Sequence, residues 1–385
     1  MAIQSDGKIL AAGESGYLLN GTSYYDFTVA RYNTNGTLDT SFDTDGVSFT
    51  DNKLSDFTTN ISVQSNGKIY LGGISNSSFA VVKLNSNGTE DITFGNSTSG
   101  ASSYAIGNLP ITVSFAYPQS DNKVVVAGTY TDGGRNDIFV ARLNSDGRLD
   151  TSFGASGVTT TAINTNNNIV SGVLVQNDNK IIVIGATNNG TKNVDIIMRY
   201  NGDGTLDTSF GTNGITKTSI GLGNNISDNI KVLSDGSYIV LGGAKNNTNW
   251  DITLTKYTSG GLLDANFGNG NGYVILNLGG NETSNYIDIA QDGKILILGA
   301  WTDQSTFQNL SILMAQFNSD GTLDTSFGKV NTAPSITSPT TATTPENVST
   351  TTAVYTATGT DPDAGTTLTY SITGGADANL FNINS

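Results

Sequence analysis

Short runs of hydrophobic residues alternate with polar clusters along most of the chain. Each run has four to eight residues, is rich in Val, Ile, Leu and aromatic residues, and is bounded by Gly, Asn, Asp and Ser. This pattern predicts β-strands joined by tight turns. Four such runs follow one another at 46–50, 60–64, 68–73 and 79–84. The third run is apolar at both odd and even positions, so we expect a strand that is buried on both faces.

The unit of four runs repeats, and an Asn/Asp/Gly-rich motif closes each copy. The motif reads NTNGTLDTSF at 33–42 and NSDGTLDTSF at 318–327. Its closing phenylalanines are Phe42, Phe94, Phe153, Phe210, Phe267 and Phe327. Their spacing varies between 52 residues (Phe42 to Phe94) and 60 residues (Phe267 to Phe327), a period that indicates a repeat architecture. The sequence therefore predicts an all-β, six-bladed β-propeller of four-stranded antiparallel blades over 1–328, with a solenoid of stacked sheets as the alternative.

The first copy is shorter than the others. It begins inside its second strand, so the first blade is expected to be incomplete, and the sequence leaves open whether the ring closes. The chain does not start with basic residues followed by an apolar stretch, so we predict no signal peptide and interpret the chain as a piece of a longer protein.

The repeated block Leu-Asp-Thr-Ser-Phe-Gly, found at 149–154, 206–211 and 323–328, resembles the bacterial delta-60 repeat family. The resemblance covers about residues 1–328. It implies a β-propeller of the kind found in large surface and secreted proteins, and hence an extracellular or cell-surface location. It implies no settled activity.

The composition changes after the last repeat. Residues 331–385 contain four of the six prolines and no Lys or Arg. We interpret 329–344 as a linker, because proline and its predecessor favour extended backbone. Pro-Glu-Asn at 345–347, Asp-Pro-Asp at 361–363 and the segment 368–374 together resemble the first half of a bacterial cadherin-like repeat. A truncated Ig/cadherin-like β-sandwich is therefore predicted over 345–385.

The cadherin-like resemblance implies a calcium site. It assigns Ca²⁺ ligation to Glu346, Asp361 and Asp363, and carboxylate oxygens are the ligands that Ca²⁺ prefers. A second candidate metal loop is the motif itself, through Asn144, Asp146 and Asp150. The alternative for the motif is an Asx turn, in which the side chain binds its own backbone.

The charge and composition exclude several functions. The net charge of −15 argues against nucleic acid as a partner, because the chain would repel phosphate backbones. The chain has no Cys and no His, which removes thiolate chemistry and the usual general base. No apolar run approaches the roughly 18 residues that a membrane-spanning helix needs.

Basic residues recur at fixed positions of the repeat. They are Arg31, Lys83, Arg142, Arg199 and Lys256 near the end of the last run, and Lys8, Lys68, Lys123, Lys180 and Lys294 in the turns. An Asp lies five residues before three of them, at Asp26, Asp137 and Asp251. Side chains five apart on a strand point to opposite faces, so we predict no pairing within the strand. A structural role and an anion site in a central channel both remain open.

The acidic residues fall on the repeated turns, and no copy carries an acidic insertion. We therefore predict that the chain is not an enzyme, and we interpret it as a non-catalytic cell-surface or secreted scaffold or adhesion protein with a protein or carbohydrate partner. One alternative is a carbohydrate-binding or carbohydrate-cleaving propeller, in which Tyr104, Tyr117, Trp250 or Trp301 would stack on sugars. The other alternative is a structural spacer in a giant repeat protein.

Overall fold

The protein is known here from a computed structural model. It describes residues 1–19, 22–50, 56–95, 100–106, 109–246, 249–302 and 310–328, together with short segments of the C-terminal tail at 335–338, 343, 349, 353, 355–360 and 368–371. Every regular element among these residues is a β-strand, as the alternating pattern predicts. The described residues include no helix that is long and apolar enough to cross a membrane.

In the described part of residues 1–328, the strands form six successive antiparallel sheets. Sheet one holds β1 (Ala2–Ile3), β2 (Ile9–Leu19), β3 (Thr22–Tyr32) and β4 (Val47–Thr50). Sheet two holds β5 (Asp56–Val63), β6 (Ile69–Ser75), β7 (Ser78–Leu84) and β8 (Ala101–Tyr104). Sheet three holds β9 (Ile111–Pro118), β10 (Val124–Asp132), β11 (Arg135–Leu143) and β12 (Val158–Thr161). Sheet four holds β13 (Asn168–Val175), β14 (Ile181–Asn188), β15 (Asn193–Tyr200) and β16 (Ile215–Thr218). Sheet five holds β17 (Asn225–Val232), β18 (Tyr238–Asn246), β19 (Asn249–Tyr257) and β20 (Tyr273–Leu276). Sheet six holds β21 (Asn281–Ile289), β22 (Ile295–Thr302) and β23 (Leu310–Phe317).

Each strand pairs with its neighbour in sequence, as expected for hairpins joined by short turns. The first strand of sheets two, four, five and six carries a β-bulge, and in sheet five the bulge lies between Ser227 and Asn229. The extra residue is therefore Asp228. A bulge redirects side chains and increases the local twist, so this position is one where the repeat can present a different group.

The core lies between the sheets. Alternate residues of β10 face opposite neighbours: Val124 and Val126 pack in a cluster with sheet two, and Val125 and Ala127 pack in a cluster with sheet four. Five such clusters join successive pairs, from sheets one and two to sheets five and six. The prediction of a strand buried on both faces is confirmed for β10, where Val124 to Tyr130 are all buried. Face-to-face packing of successive four-stranded sheets is the packing of a β-propeller.

Clustering of contacts divides the chain into Met1–Asp324 and Thr325–Ser385. In the second unit, β24 (Ser335–Ile336) pairs with β25 (Gly359–Thr360), and Thr337 donates a backbone hydrogen bond of 2.8 Å to Thr358. Within the predicted sandwich at 345–385, the described residues of 353–357 and 368–372 are not in strands. A two-stranded ladder this short has little hydrophobic face of its own, so a sandwich at 345–385 and the domain boundaries remain predictions.

Candidate functional site

The repeated motif builds an ion triad. In sheet four, Asp207 Oδ2 accepts from Lys180 Nζ at 2.6 Å and from Arg199 Nε at 2.7 Å, while Ser209 donates to Oδ1. Burial alone would raise the pKa of Asp207, but the hydrogen bonds from Lys180 and Ser209 and the charge of Arg199 outweigh it and hold that pKa well below its ordinary value. The carboxylate of the motif is thus a charged link between the turn that precedes β14 and the strand β15.

The same triad recurs in the earlier sheets and is reduced in the last two. The full triads are Lys8–Asp39–Arg31, Lys68–Asp91–Lys83 and Lys123–Asp150–Arg142. In sheet five only Lys256 pairs with Asp264, since Ser237 stands where the turn lysine would be. In sheet six Lys294 pairs with Asp324, and Gln316 replaces the strand cation. These basic residues therefore have a structural role, and each pairs with an Asp of its own motif.

The closing phenylalanine of the motif packs against the next sheet. Phe210 is fully buried under the guanidinium of Arg199, 4.5 Å from its centroid, and against Gly261 of the next sheet. Arg199 also donates to the carbonyl of Ser259, at 2.8 Å, across the same interface. The motif thus connects neighbouring sheets, and its closing phenylalanine belongs to the hydrophobic core between them.

The second predicted metal loop is an Asx turn in the structure. Asp146 Oδ1 accepts from the backbone N–H of Arg148 at 3.0 Å, while Asp150 belongs to a triad. The described residues contain no group of three acidic side chains arranged to hold a metal ion.

Four acidic residues outside the turns lie on strands of sheets four to six as two pairs, and the sequence analysis singled out only Asp251 among them. We call these two pairs, Asp195 with Asp228 and Asp251 with Glu282, the acid cluster. Ser227 Oγ donates to Asp195 Oδ1 at 2.9 Å, and Ser284 Oγ donates to Asp228. Burial, opposed by the Ser227 hydrogen bond and reinforced by the charge of Asp228, raises the pKa of Asp195 to about 7. Burial likewise raises the pKa of Asp228.

The other two members of the acid cluster are Asp251 and Glu282. Each is 1% exposed, and each carboxyl group influences the pKa of the other. Burial raises the pKa of both, and the charge of Asp251 raises that of Glu282 further. Asn168 and Asn225 occupy the Glu282 position in the two preceding sheets, so sheet six departs from the repeat at this point. A raised pKa makes a carboxyl group a better candidate for a proton donor than an ordinary carboxylate.

Replacing Asp195 by Asn is expected to make the chain more stable at pH 8 than the natural chain, by about 4 kcal/mol at most. The reason is that the folded chain holds a proton on Asp195 between about pH 4 and pH 7 that the unfolded chain releases, so the natural chain loses stability as the pH rises through this window. Thermal unfolding midpoints at pH 4 and pH 8 would measure the effect. Asp203→Asn is the control with the opposite sign, because hydrogen bonds from Thr205 lower the pKa of Asp203. An equal midpoint difference for Asp195→Asn at both pH values would contradict the prediction.

One candidate binding site is a polar cavity of about 480 Å³ at the junction of sheets three and four. Six of its ten lining residues are asparagines. They are Asn136, Asn166, Asn167, Asn168, Asn188 and Asn193. Its volume falls in the range of small-molecule sites. The signal in the sequence is the run Asn164-Thr-Asn-Asn-Asn168 before β13, which sequence reasoning did not single out.

Hydrogen bonds within the wall hold the cavity open. Asn167 Oδ1 accepts from the backbone N–H of Asn136 at 2.9 Å, and Asn168 Nδ2 donates to the carbonyl of Asn136 at 2.9 Å. Arg135 donates from Nε to Asp137 at 3.1 Å, with its side chain 37% exposed. The cavity thus offers fixed amide donors and acceptors beside one cation.

The predicted calcium ligands Glu346, Asp361 and Asp363 lie outside the described residues, so this site remains a prediction. Of the aromatic candidates, Tyr104 has a structural contact: its ring lies 5.8 Å from that of Phe79, and its hydroxyl donates to Gly147 at 3.0 Å.

The sequence was also compared with known families. Five segments match the model described as "Domain of unknown function (DUF5122) beta-propeller", at 4–42, 64–94, 119–153, 176–210 and 290–327. Five of the repeats thus match a β-propeller model, and the matched segments cover the turns and motifs that form the triads. The prediction of an all-β chain built from repeated antiparallel sheets of the propeller type is confirmed. No curated protein matches the sequence.

Solved structures with a similar fold include three enzymes. Hydrazine synthase from Kuenenia stuttgartiensis is 11% identical with a TM-score of 0.46, over 81% of this chain and 43% of that one. An endo-arabinase from Bacteroides thetaiotaomicron is 13% identical with a TM-score of 0.37, over 68% and 94%. The aldose sugar dehydrogenase from Streptomyces coelicolor is 12% identical with a TM-score of 0.40, over 80% and 98%. Likeness at this level assigns none of these activities to the chain.

The prediction that the chain is not an enzyme is contradicted by these neighbours, which are enzymes by name. Its premise also fails in the structure. The prediction took the acidic residues to occupy repeated turns, whereas Asp195, Asp228, Asp251 and Glu282 lie on strands and have raised pKa values. Buried carboxyl groups with shifted pKa values are a feature of functional sites.

Proposed function

We propose that this propeller binds a carbohydrate in the asparagine-lined cavity between sheets three and four. The observation that carries the proposal is the chemistry of the wall, in which six of ten residues are asparagines. An amide carries a carbonyl acceptor and two N–H donors in one plane, and the groups that the hydrogen bonds within the wall leave free suit the paired hydroxyl groups of a sugar ring.

The electrostatics of the cavity favour a ligand with many hydroxyl groups and little charge. Arg135 is already paired with Asp137, so the pair adds hydrogen-bonding capacity without a large local field. The chain as a whole carries a net charge of −15, which disfavours polyanionic ligands. A neutral oligosaccharide is therefore the ligand class that the cavity fits best.

Replacing Asn167 by Ala is expected to weaken carbohydrate binding at least tenfold, about 1.4 kcal/mol. The substitution removes a wall amide and also the acceptor that fixes the Asn136 backbone. A screen of the natural chain on a glycan array identifies the sugar, and isothermal titration calorimetry with that sugar measures the change.

Asn281→Ala is the matched control. Asn281 accepts from the backbone N–H of Trp250 at 3.0 Å, the same contact two interfaces further along, and neither of these two residues lines the cavity. We expect this control variant to bind the carbohydrate with the same affinity as the natural chain. Equal weakening by both substitutions, or no glycan bound by the natural chain, would contradict the proposal.

An extracellular or cell-surface location and calcium binding by the C-terminal unit are proposals that rest on the resemblance alone. They are compatible with carbohydrate binding, because surface proteins meet glycans.

A further inference from the structure

The outer face of sheet six is apolar and uncovered. It carries Leu296, Leu298, Ile312 and Met314, of which Ile312 is 85% exposed and Met314 55%. Their counterparts in sheet five are Ile239, Leu241, Ile252 and Leu254. Those four are at most 1% exposed, because sheet six packs on them in one core cluster. The exposed face of sheet six is therefore the same surface that each earlier sheet buries against the next.

The outer face of sheet one is the opposite half of such an interface. It carries Ile9, Ala11 and Tyr32, which are half-buried or exposed. Their counterparts in sheet six are Ile295, Ile297 and Phe317. All three counterparts are buried against sheet five in the same core cluster. Sheet one thus exposes the kind of surface that, in the later sheets, packs against the preceding sheet.

The turn at 33–37 in sheet one also lacks the contact that the equivalent turn of sheet five makes with the preceding sheet. Gly36, with φ of +83°, has no heavy atom within 4 Å of the place where a Cβ would lie, whereas the equivalent Gly261 lies against Phe210 of the preceding sheet. The carbonyl of Gly260 accepts from the backbone N–H of Gly211 across that interface at 2.8 Å. The equivalent carbonyl of Asn35 has no such donor from another sheet among the described residues.

We propose that the outer face of sheet six in one copy of this chain docks on the outer face of sheet one in a second copy. The two faces are complementary because they repeat the two halves of five interfaces already present in the chain, and neither face is complementary to itself. The contact is therefore head-to-tail, and it leaves one free face of each kind after every addition. Neither face shares a residue with the asparagine-lined cavity.

The charge of the chain sets the salt dependence of this association. Two copies with a net charge of −15 each repel one another, while the docking faces themselves are apolar. Salt screens the repulsion and leaves the apolar contact in place. Association is therefore expected to strengthen as the ionic strength rises.

Sedimentation velocity of the full chain over about 1–100 μM tests the proposal. We expect the average mass to rise with concentration, and more so at high salt. Ile312→Glu blocks the sheet-six face and Ala11→Glu blocks the sheet-one face, so each variant alone should remain monomeric. Their equimolar mixture should form a heterodimer and stop there, because each variant keeps one intact face.

Leu222→Glu, at a residue 84% exposed and on neither face, should associate like the natural chain. Unchanged thermal unfolding of monomeric Ile312→Glu and Ala11→Glu would show that both are folded. A natural chain that stays monomeric throughout overturns the proposal. So does unimpaired self-association of either variant, or a mixture that stays monomeric.

Discussion

Replacing Asp207 by Asn is expected to lower the free energy of unfolding by about 3 kcal/mol. The substitution keeps the size of the side chain but leaves Lys180 and Arg199 without their shared carboxylate. The arginine side chain is only 11% exposed, so water replaces the lost partner poorly. Urea denaturation of the two proteins at pH 7 measures the difference.

The effect of Asp207→Asn should also depend on pH. The pKa of Asp207 is lowered in the folded chain, so its contribution to stability is present above the unfolded value near 4 and is lost as the pH falls below it. The gap between the natural chain and the variant should therefore shrink in acid. A gap that is the same at pH 7 and pH 3 would contradict the proposed cause.

Substitutions at two further aspartates provide reference values for this loss of stability. Asp178 only accepts from the backbone N–H of Lys180 at 3.1 Å in an exposed turn, a role that Asn fills as well, so Asp178→Asn should change stability by less than about 0.5 kcal/mol. Asp264 has Lys256 alone as its cation, and both are more exposed than the Asp207–Arg199 pair. The loss of stability caused by Asp264→Asn should therefore lie between the losses caused by Asp178→Asn and Asp207→Asn. A cost for Asp207→Asn no larger than that for Asp178→Asn would mean that the triad does not stabilise the fold.

Replacing Gly261 by Ala is expected to lower the free energy of unfolding by about 2–5 kcal/mol. Two effects add. Gly261 has φ of +81°, which costs an L-residue about 1–2 kcal/mol, and its Cβ would lie 2.5 Å from ring atoms of the buried Phe210. The ring cannot move away without opening the interface between sheets four and five. Urea denaturation again measures the loss.

Gly36 provides the matched control, because it has the same place in the turn, the same sign of φ and an empty neighbourhood. Gly36→Ala should lower the free energy of unfolding only by the cost of a positive φ in an L-residue, about 1–2 kcal/mol. The measurement belongs at low protein concentration, where the proposed head-to-tail contact is not populated. Equal costs for the two substitutions would show that the contact with Phe210 is unimportant.

The structure explains why the chemistry was harder to predict than the repeat. Turn positions such as Asp146 and Gly36 are specified by local backbone geometry, so a sequence pattern identifies them. The sequence also predicts correctly that Asp251 and Lys256 do not pair within their strand, because side-chain direction on a strand has a period of two. The acid cluster has no local pattern, since Asp251 and Glu282 come from different sheets.

The sequence by itself determined the all-β fold, the turns between the strands and the repeat of the propeller type, since each follows from the alternation of residues and a period of 52 to 60 residues. Only the tertiary structure decided which residues form sites. The triad of Lys180, Arg199 and Asp207, the asparagine-lined cavity and the two uncovered apolar faces each depend on how separate strands or whole sheets are juxtaposed. Contacts of that kind are fixed by packing, and no stretch of neighbouring residues encodes them.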